Sequence, residues 1–414
     1  MRNRNTLSRT MITATTLIVA PGAHALTIEA GDWKFSMNGN VNVHYIHSQC
    51  DDTTDVVAGG TSCNVGDGND AEKGVSTVSN GLLPAAFVFG ASTIQNDWDI
   101  AANLGLYPGI STNDGGSPNL QQDGALHNTG LGTTGLDLRQ VFMTFGRKDL
   151  GTFTLGRNFG LFGFDSIIND MTIPGVGAAG SMSGATPANT SLGSIGVGYI
   201  YCDTLAQMNY TTPDFGGFKL TVGIFDPLEP IGAIAPSGAD ASPGYHAKAT
   251  WTNGTVYLSS AALYQENNFS DADAAGDTDF TTRAIDVGGK VTLGAFEALA
   301  WYYTGKGIGT TALLLLPVDA TNDERKSDGF LAQVTYKIGD TKLGVNYGES
   351  RLDKASDEAD SALVEKNSKV TLGAYHSLTP NLTLLAEFTD GRSEAHDGAE
   401  VESSSFNVGA FLSF

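Results

Sequence analysis

The 414-residue chain lacks an apolar run long enough to cross a membrane as a helix. The hydrocarbon core of a bilayer requires about 20 consecutive apolar residues. The longest candidate after the amino-terminal leader, residues 312–318, is far shorter than that. The sequence therefore excludes a protein that spans a membrane with helices, and any membrane crossing must be made by β-strands.

Basic residues are scarce as well. The chain has 23 Lys and Arg against 45 Asp and Glu, for a formal charge of −22. This balance excludes a nucleic-acid-binding protein, which needs a basic surface. Charged residues make up only 16% of the chain, hydrophobic residues 41%, and there are 52 glycines, a composition that suits neither a disordered nor a helical protein. A β-rich secreted protein remains.

Cysteine is limited to three positions, so the chain is not a disulfide-dense scaffold. Cys50 and Cys63 lie in one acidic segment and are predicted to form a disulfide, which an oxidising compartment permits; two free thiols are the alternative. Cys202 is left without a partner. No metal-ligand partner lies near Cys50 or Cys63 in the sequence, and we predict neither a metal site nor a cofactor.

Residues 1–25 are predicted to be a secretory signal peptide. Arg2, Arg4 and Arg9 precede an apolar run over residues 11–20, and Ala23-His24-Ala25 resembles a cleavage site. The alternative, a membrane anchor, is disfavoured because about ten apolar residues are too few to span a bilayer. Without this leader, residues 26–414 carry a formal charge of −25 and are predicted to form one domain.

Apolar and polar residues alternate with a period of two in stretches spread along residues 26–414. In residues 35–44, the apolar set Phe35, Met37, Val41 and Val43 alternates with the polar set Asn38, Asn40, Asn42 and His44. The final stretch, residues 405–414, repeats the pattern except that Phe411 falls among the polar positions. Stretches of about ten such residues are typical of barrel strands with one face toward lipid and the other toward a lumen. A soluble β-sandwich produces the same alternation and is the alternative.

The connections between these stretches distinguish the two possibilities. Short turns, such as residues 214–217 and 338–340, alternate with long acidic segments, such as residues 226–243 and 310–327. This order is expected of a membrane barrel with short periplasmic turns and long extracellular loops. The stretches predict about sixteen strands, an even number that lets the first and last strands pair antiparallel and close the sheet. A barrel of this size encloses an aqueous channel.

Residues 137–180 contain two short strands followed by a long segment rich in glycine, alanine and serine, with Asp165 and Asp170 near its start. A connection of this length in a compact fold is usually functional or disordered. The GRNFG sequence at 156–160 and the acidic, glycine-rich residues after it resemble the third loop of the Gram-negative general porins. Phe414 at the end of the last strand resembles the carboxy-terminal signal of the same family. The resemblance implies an all-β fold, a transmembrane antiparallel β-barrel with a constriction loop folded inward.

The resemblance also implies a pore constriction, in which acids of the inward loop face basic residues of the wall. The matching residues are Arg157, Asp165, Asp170 and, with a side-chain direction that the sequence leaves uncertain, Arg139. Two alternatives stay open. Arg157 could pair with a turn carboxylate at the end of its strand, and the aspartates could cap loop amides.

The alternation of side chains along each strand predicts that further residues face the lumen: Asn38, Asn40, Asn42, His44, Lys248, Asp286, Lys290, Glu297, Lys337, Lys369 and Glu387. Two wall positions that often carry basic residues in the family fall near Asn40 and Ala85, which are uncharged. The basic half of the constriction is therefore thin, and the predicted loops at the mouth are acidic. Both features predict a channel that prefers cations.

Two acidic clusters, at residues 51–55 and 271–279, invite a calcium-binding interpretation. In the second cluster Thr282 stands where a calcium loop needs its closing bidentate acid, so we favour solvated loops that attract divalent ions loosely.

The sequence thus predicts an outer-membrane porin for passive diffusion of ions and small hydrophilic solutes. The resemblance implies a homotrimer in contact with lipid and lipopolysaccharide. A substrate-selective outer-membrane channel is the main alternative, and a secreted β-sandwich adhesin is less favoured. An enzyme is disfavoured because the chain has no zinc-binding helix motif, phosphate loop or GxSxG elbow.

Overall fold

A computed structural model of the chain describes residues 26–51, 55–63, 74–111, 136–180, 189–231, 242–268 and 279–414. The predicted signal peptide, residues 1–25, lies outside these ranges. Within the described residues, no helix combines the length and apolar character needed to cross a membrane.

The regular secondary structure of the described residues is β-strand, apart from one short helix, α1 (Phe164–Asn169). The strands are β1 (Leu26–Ala30), β2 (Trp33–Cys50), β3 (Val75–Ser79), β4 (Ala86–Gln95), β5 (Trp98–Pro108), β6 (Leu136–Arg147), β7 (Gly151–Phe159), β8 (Thr204–Thr211), β9 (Phe218–Phe225), β10 (Gly244–Thr252), β11 (Val256–Asn267), β12 (Phe280–Leu293), β13 (Phe296–Lys306), β14 (Lys326–Ile338), β15 (Thr341–Leu352), β16 (Val364–Ser377), β17 (Leu382–Ala395) and β18 (Glu400–Ser413).

These strands close into one antiparallel barrel. From β4 to β18 each strand pairs with the next, and β2 completes the circle by pairing with β18 on one side and β4 on the other. Two short strands also pair with β2. β1 pairs with it beyond the end of β18, and β3 pairs with it beyond the start of β4. The barrel therefore has sixteen wall positions, which confirms the predicted fold. Residues 80–85 form the break between β3 and β4.

Side chains alternate between the two faces of the barrel wall as the sequence pattern predicts. On β14, Phe330, Val334 and Tyr336 are exposed on the outer face, whereas Gln333 and Thr335 between them are buried on the inner face. An apolar outer face suits contact with lipid. Phe411 points inward against this pattern, because it packs in a small apolar cluster with Leu83, Tyr375 and Leu385.

Candidate channel constriction

The described parts of the connection between β7 and β8, residues 160–180 and 189–203, fold into the barrel, and we call them the inward segment. Its ends meet where it leaves the wall, since the backbone N–H of Gly160 donates to the carbonyl oxygen of Asp203 at 3.0 Å. Just beyond this neck, the N–H of Leu161 donates to Nδ1 of His246 at 3.3 Å, and the N–H of Gly163 donates to Asp286 at 2.7 Å. Wall side chains on β10 and β12 thus fix the direction in which the segment enters.

Asp165 joins helix α1 to the wall. Its carboxylate is 3% exposed and accepts hydrogen bonds from Lys248 on β10 at 3.0 Å and from Tyr257 and Ser259 on β11 at 2.9 and 2.6 Å. Three donors, one of them charged, compensate for the loss of water around a buried carboxylate. Asp165 is therefore an anchor of the inward segment and is largely inaccessible to solutes in this structure.

The next anchor lies after helix α1. Asp170 accepts hydrogen bonds from Tyr199 at 2.9 Å and from Asn346 on β15 at 3.2 Å. Gln333 on β14 binds the backbone on either side of it, accepting from the N–H of Met171 at 2.7 Å and donating to the carbonyl of Asn169 at 3.0 Å. Both predicted constriction acids consequently bind the wall or the segment itself.

Glu387 on β17 holds the middle of the inward segment. It accepts from the N–H groups of Val176 and Gly177 at 2.8 and 2.9 Å and from the Tyr375 hydroxyl at 2.6 Å. The segment approaches so closely that a Cβ on Gly175 would lie 2.1 Å from Glu387 Oε1. A larger residue at position 175 would therefore displace the Glu387 carboxylate from its present position.

The opposite side of the segment is held by the break between β3 and β4. The N–H of Leu82 donates to the carbonyl of Gly175 at 2.7 Å, and the carbonyl of Gly81 accepts from the N–H of Ser191 at 2.9 Å. Asn42 fixes this break in turn, since its Oδ1 accepts from the N–H of Gly81 at 2.8 Å. The predicted lumen-facing Asn42 thus supports the inward segment through residues 80–85.

Arg139 points into the barrel because β6 contains a β-bulge. Gly105 pairs with Gln140 and Tyr107 pairs with Asp137, so two residues of β6, Leu138 and Arg139, oppose the single residue Leu106 of β5. The bulge reverses the parity between Arg139 and Phe145, the point that the sequence left uncertain. Arg139 is 5% exposed, forms an ion pair with Asp137 at 3.0 Å and lies over the Tyr107 ring. It packs between wall and segment and does not line open lumen in this structure.

The position of Arg157 differs from the prediction. It pairs in register with Val141 and Ala206, whose side chains are exposed on the outer face, and its guanidinium donates to Thr204 at 3.1 Å. Directly paired residues project from the same face of a sheet, so Arg157 projects outward, away from Asp165 and Asp170. The alternation of Phe153 and Leu155 in the same strand indicates this direction, whereas the family resemblance pointed inward.

The other predicted lumen-facing residues lie on the inner face of the wall in different degrees of exposure. Asn38, Asn40, His44, Asp286 and Lys369 are buried, whereas Lys337 is exposed at the short-turn end. Lys290 and Glu297, each partly exposed, form an ion pair at 3.6 Å. Lys369 Nζ donates to Thr371 at 3.1 Å and lies close enough to Asp170 and Glu387 for their charges to interact.

Sequence reasoning missed a second inward-folding connection, residues 307–325 between β13 and β14. The N–H of Tyr201 in the inward segment donates to the carbonyl of Thr311 at 2.9 Å. Leu313 and Leu314 are buried in one apolar cluster with Phe162 and Ile200 of the inward segment. The sequence signal for this connection is the apolar run of residues 312–318, which is too short for a membrane helix but long enough to pack inside the barrel.

The three cysteines are in two different states. Cys50 and Cys63 form a disulfide. Cys202 is free and buried in the inward segment, and burial raises the pKa of its thiol, which favours the uncharged form. Among the described residues, no group of three or more His, Cys, Asp or Glu is arranged to hold a metal ion. Most of the two acidic clusters considered for calcium, residues 52–54 and 271–278, lies outside the described residues.

A family model described as Gram-negative porin matches residues 12–396. The outer membrane channel DcaP of Acinetobacter baumannii superimposes with a TM-score of 0.67 at 15% identity, covering 93% of this chain and 99% of that one. An anion-selective porin from Comamonas acidovorans gives a TM-score of 0.60 at 14% identity, with 92% and 100% covered. The trimer form of OmpT, an outer membrane protein of Vibrio cholerae, gives 0.53 at 13% identity, with 92% and 99% covered.

At these identities, the likeness to the solved structures concerns the fold alone. No curated protein sequence matches the chain significantly.

Proposed function

This chain belongs to the Gram-negative porin family and forms a channel in the outer membrane, and we propose that it lets ions and small hydrophilic solutes diffuse passively, with a preference for cations. The family and the fold are those of channels and not of enzymes. The preference for cations is proposed separately from the channel function, and a structural relative is described as anion-selective.

The observation that carries the proposal is the charge around the inward segment. Six carboxylates are buried there with two basic side chains, Arg139 and Lys369, and with the mostly buried Lys248; the carboxylates are those of Asp137, Asp165, Asp170, Asp203, Asp286 and Glu387. Charges in a region of low dielectric constant act over longer distances than charges in water. The excess of carboxylates therefore supports a negative potential along a path beside the segment, which attracts cations and repels anions.

Basic residues at the short-turn end oppose this preference. Lys337 and Lys342 occupy paired inward positions on β14 and β15. Neutralising the exposed Lys337 removes a positive charge without touching an anchor of the inward segment. Lys337→Gln should therefore shift the reversal potential in a salt gradient further toward cations, and Lys337→Arg is the matched control. A wild-type reversal potential that indicates anion preference would refute the cation-selective part of the proposal.

We also propose a homotrimer, which the trimer form of OmpT supports by analogy of fold. The outer face near Arg157 fits such an assembly. A surface depression of about 590 Å³ lies there, and the apolar side chains that line it include Phe35, Phe89, Leu104 and Met143. An arginine on the lipid side at the centre of a bilayer costs about 2–4 kcal/mol, so cover by a neighbouring copy would stabilise this face. The remaining outer surface would contact lipid and lipopolysaccharide.

A substrate-selective channel is the second candidate, and one observation favours it. Leu313 and Leu314 of the second inward connection seal part of the interior against Phe162 and Ile200. Such packing narrows the space for solutes more than one inward loop does. Swelling of proteoliposomes in a size series of sugars and amino acids separates the candidates. Uptake rates that depend on solute size alone support general diffusion. A chemical class that enters faster than its size predicts supports selectivity.

A further inference from the structure

Residues 55–63, which we call the lid segment, fold into the barrel mouth over β16, β17 and β18. The N–H of Ala58 donates to the carbonyl of Ala362 at 2.7 Å, and the carbonyl of Ala58 accepts from the N–H of Val364 at 2.9 Å. Further in, the N–H of Thr61 donates to Asn367 Oδ1 at 3.1 Å and that of Ser62 to Ser393 Oγ at 3.1 Å. Asn367 and Ser393 are inward-facing and buried, so the lid segment rests on the inner surface of the wall.

A covalent bond fastens one end of the lid segment. Cys63 forms the disulfide with Cys50, the last residue of β2, which pairs with Ser403 on β18. The disulfide therefore ties the lid segment to the strand that closes the barrel. Without the disulfide, the lid segment would be held by the hydrogen bonds described above and by the packing of Val57 against a small apolar cluster that contains Leu363 and Val364.

A small polar cavity of about 10 Å³ lies beneath the lid segment, room for about one water molecule. Thr61 and Ser62 cap it, Ala178 of the inward segment forms its floor, and Lys369, Thr389 and Ser405 line its wall. Lys369 is the charged residue among those that line the cavity, and it is 2% exposed. The lid segment above and the inward segment below thus enclose an ammonium group and several hydroxyl groups.

This polar side of the barrel contrasts with the β10 to β13 side. There Phe162, Phe280 and Leu313 belong to one buried apolar cluster, and the polar side chains nearby, such as Lys248 and Asp286, are bound to the inward segment. Burying an ammonium group and hydroxyl groups is costly, whereas hydrating them is favourable. Water and solutes would therefore enter along β16 to β18 when the lid segment moves.

We propose that residues 55–63 are a disulfide-fastened lid over a polar solute path along β16 to β18, and that Lys369 is the charge that solutes meet beneath it. The inference rests on the proposed channel function and adds to it the location of the entrance. The lid lowers conductance while it is closed, and Lys369 weakens the preference for cations along this path.

The first test is reduction of the inserted protein during recording from a planar bilayer, so that folding is already complete. A dithiol such as dithiothreitol cleaves the Cys50–Cys63 bond; its two sulfurs form a cyclic disulfide, and the two cysteines take up the protons and electrons as thiols. The lid predicts a rise in the conductance of each pore. The double variant Cys50→Ser, Cys63→Ser is the control: it should show the higher conductance from the start and should not respond to the reductant, although it retains Cys202.

A second variant opens the lid without changing the cysteines. A Cβ on Gly60 would lie 3.0 Å from Ser393 Cβ and 3.0 Å from the Val57 carbonyl oxygen, so Gly60→Val should push the lid segment off the wall and raise conductance under oxidising conditions. In that background Lys369→Gln should shift the reversal potential toward cations, and Lys369→Arg should leave it unchanged.

The outcomes separate the lid from the channel function. If neither wild type nor any variant conducts, the proposed function fails. If all conduct equally with and without reductant, the channel stands and the lid is refuted. If reduction raises conductance but Lys369→Gln leaves the reversal potential unchanged, the path beneath the lid is refuted.

Discussion

Nζ of Lys248 and Oδ1 of Asp165 lie 3.0 Å apart where β10 meets the helix of the inward segment. Both side chains are mostly buried, Lys248 being the more accessible of the two. Removal of one partner from a buried ion pair leaves an uncompensated charge, which costs more than the pair itself contributes. This pair therefore fixes the start of the inward segment to the wall.

We expect Asp165→Ala to destabilise the protein by about 3–5 kcal/mol, the usual cost of breaking a buried pair. Lys248→Met should cost less, because its partner keeps the hydroxyl donors of Tyr257 and Ser259. Urea-induced unfolding in lipid vesicles measures both changes. A double variant whose destabilisation equals the sum of the single changes would show that the two side chains are not coupled.

The apolar cluster around Phe411 gives a test of side-chain direction. Phe411 is 3% exposed and packs inward, whereas the adjacent Leu412 is 42% exposed on the outer face. Phe411→Ala should destabilise the protein by about 3–5 kcal/mol through the cavity it leaves. Leu412→Ala, the matched control, should have a smaller effect in the same unfolding measurement. Equal effects would contradict the inward position of Phe411.

An ion pair at the mouth predicts a dependence on pH. Arg325 Nε donates to Glu358 Oε2 at 2.9 Å and joins the connection before β14 to the one before β16. The hydrogen bond from Arg325 lowers the pKa of Glu358 below its ordinary value of 4.5. Its stabilising effect is thus fully present above pH 4.5 and is lost as the pH falls through the lowered value.

Hydrogen exchange of residues 353–363 should accordingly be slow near neutral pH, after correction for intrinsic rates, and faster in acid. Glu358→Gln should exchange faster at neutral pH and show a weaker dependence on pH. If Glu358→Gln has the same pH dependence of hydrogen exchange as the wild type, this ion pair does not stabilise residues 353–363.

Arg157 tests the proposed assembly. Its Nε is buried without a hydrogen-bond partner in the described part of the chain, and its register places it on the outer face. If a neighbouring copy covers this face, Arg157→Ala should lower the temperature at which oligomers dissociate in detergent. Lys219→Ala is the control, since Lys219 is exposed near a short turn. If the variant dissociates at the wild-type temperature, Arg157 does not contribute to the interface.

The sequence predicts the barrel well because lipid outside and polar groups inside impose a period of two on every strand. Residues such as Phe330 and Gln333 carry that period in their own local sequence. Arg139 could not be assigned in this way, because a bulge changes parity in the middle of β6. A bulge depends on pairing with β5 and has no reliable local signal.

The contacts of the inward segment were not predictable for a different reason. Asp165 was identified as part of an acidic loop, but its partner Lys248 is 83 residues away, and only the closed barrel brings the two together. The family resemblance implied that the acids line a pore constriction opposite basic residues of the wall, whereas in the structure both acids form direct hydrogen bonds that anchor the segment. For Arg157, the local alternation pointed to the outer face and the resemblance to the inner one.

The central claim is that the barrel conducts and that the inward segment limits its conductance. Because Gly160 N and Asp203 O are 3.0 Å apart, residues 161–202 can be replaced by a short glycine turn without stretching the wall. Comparison of this variant with the wild type in planar bilayers, after both are shown to migrate as folded barrels, tests the claim directly. The account predicts ohmic steps for both proteins and a larger conductance for the variant. Folded barrels that insert without conducting, or a variant with unchanged conductance, would contradict it.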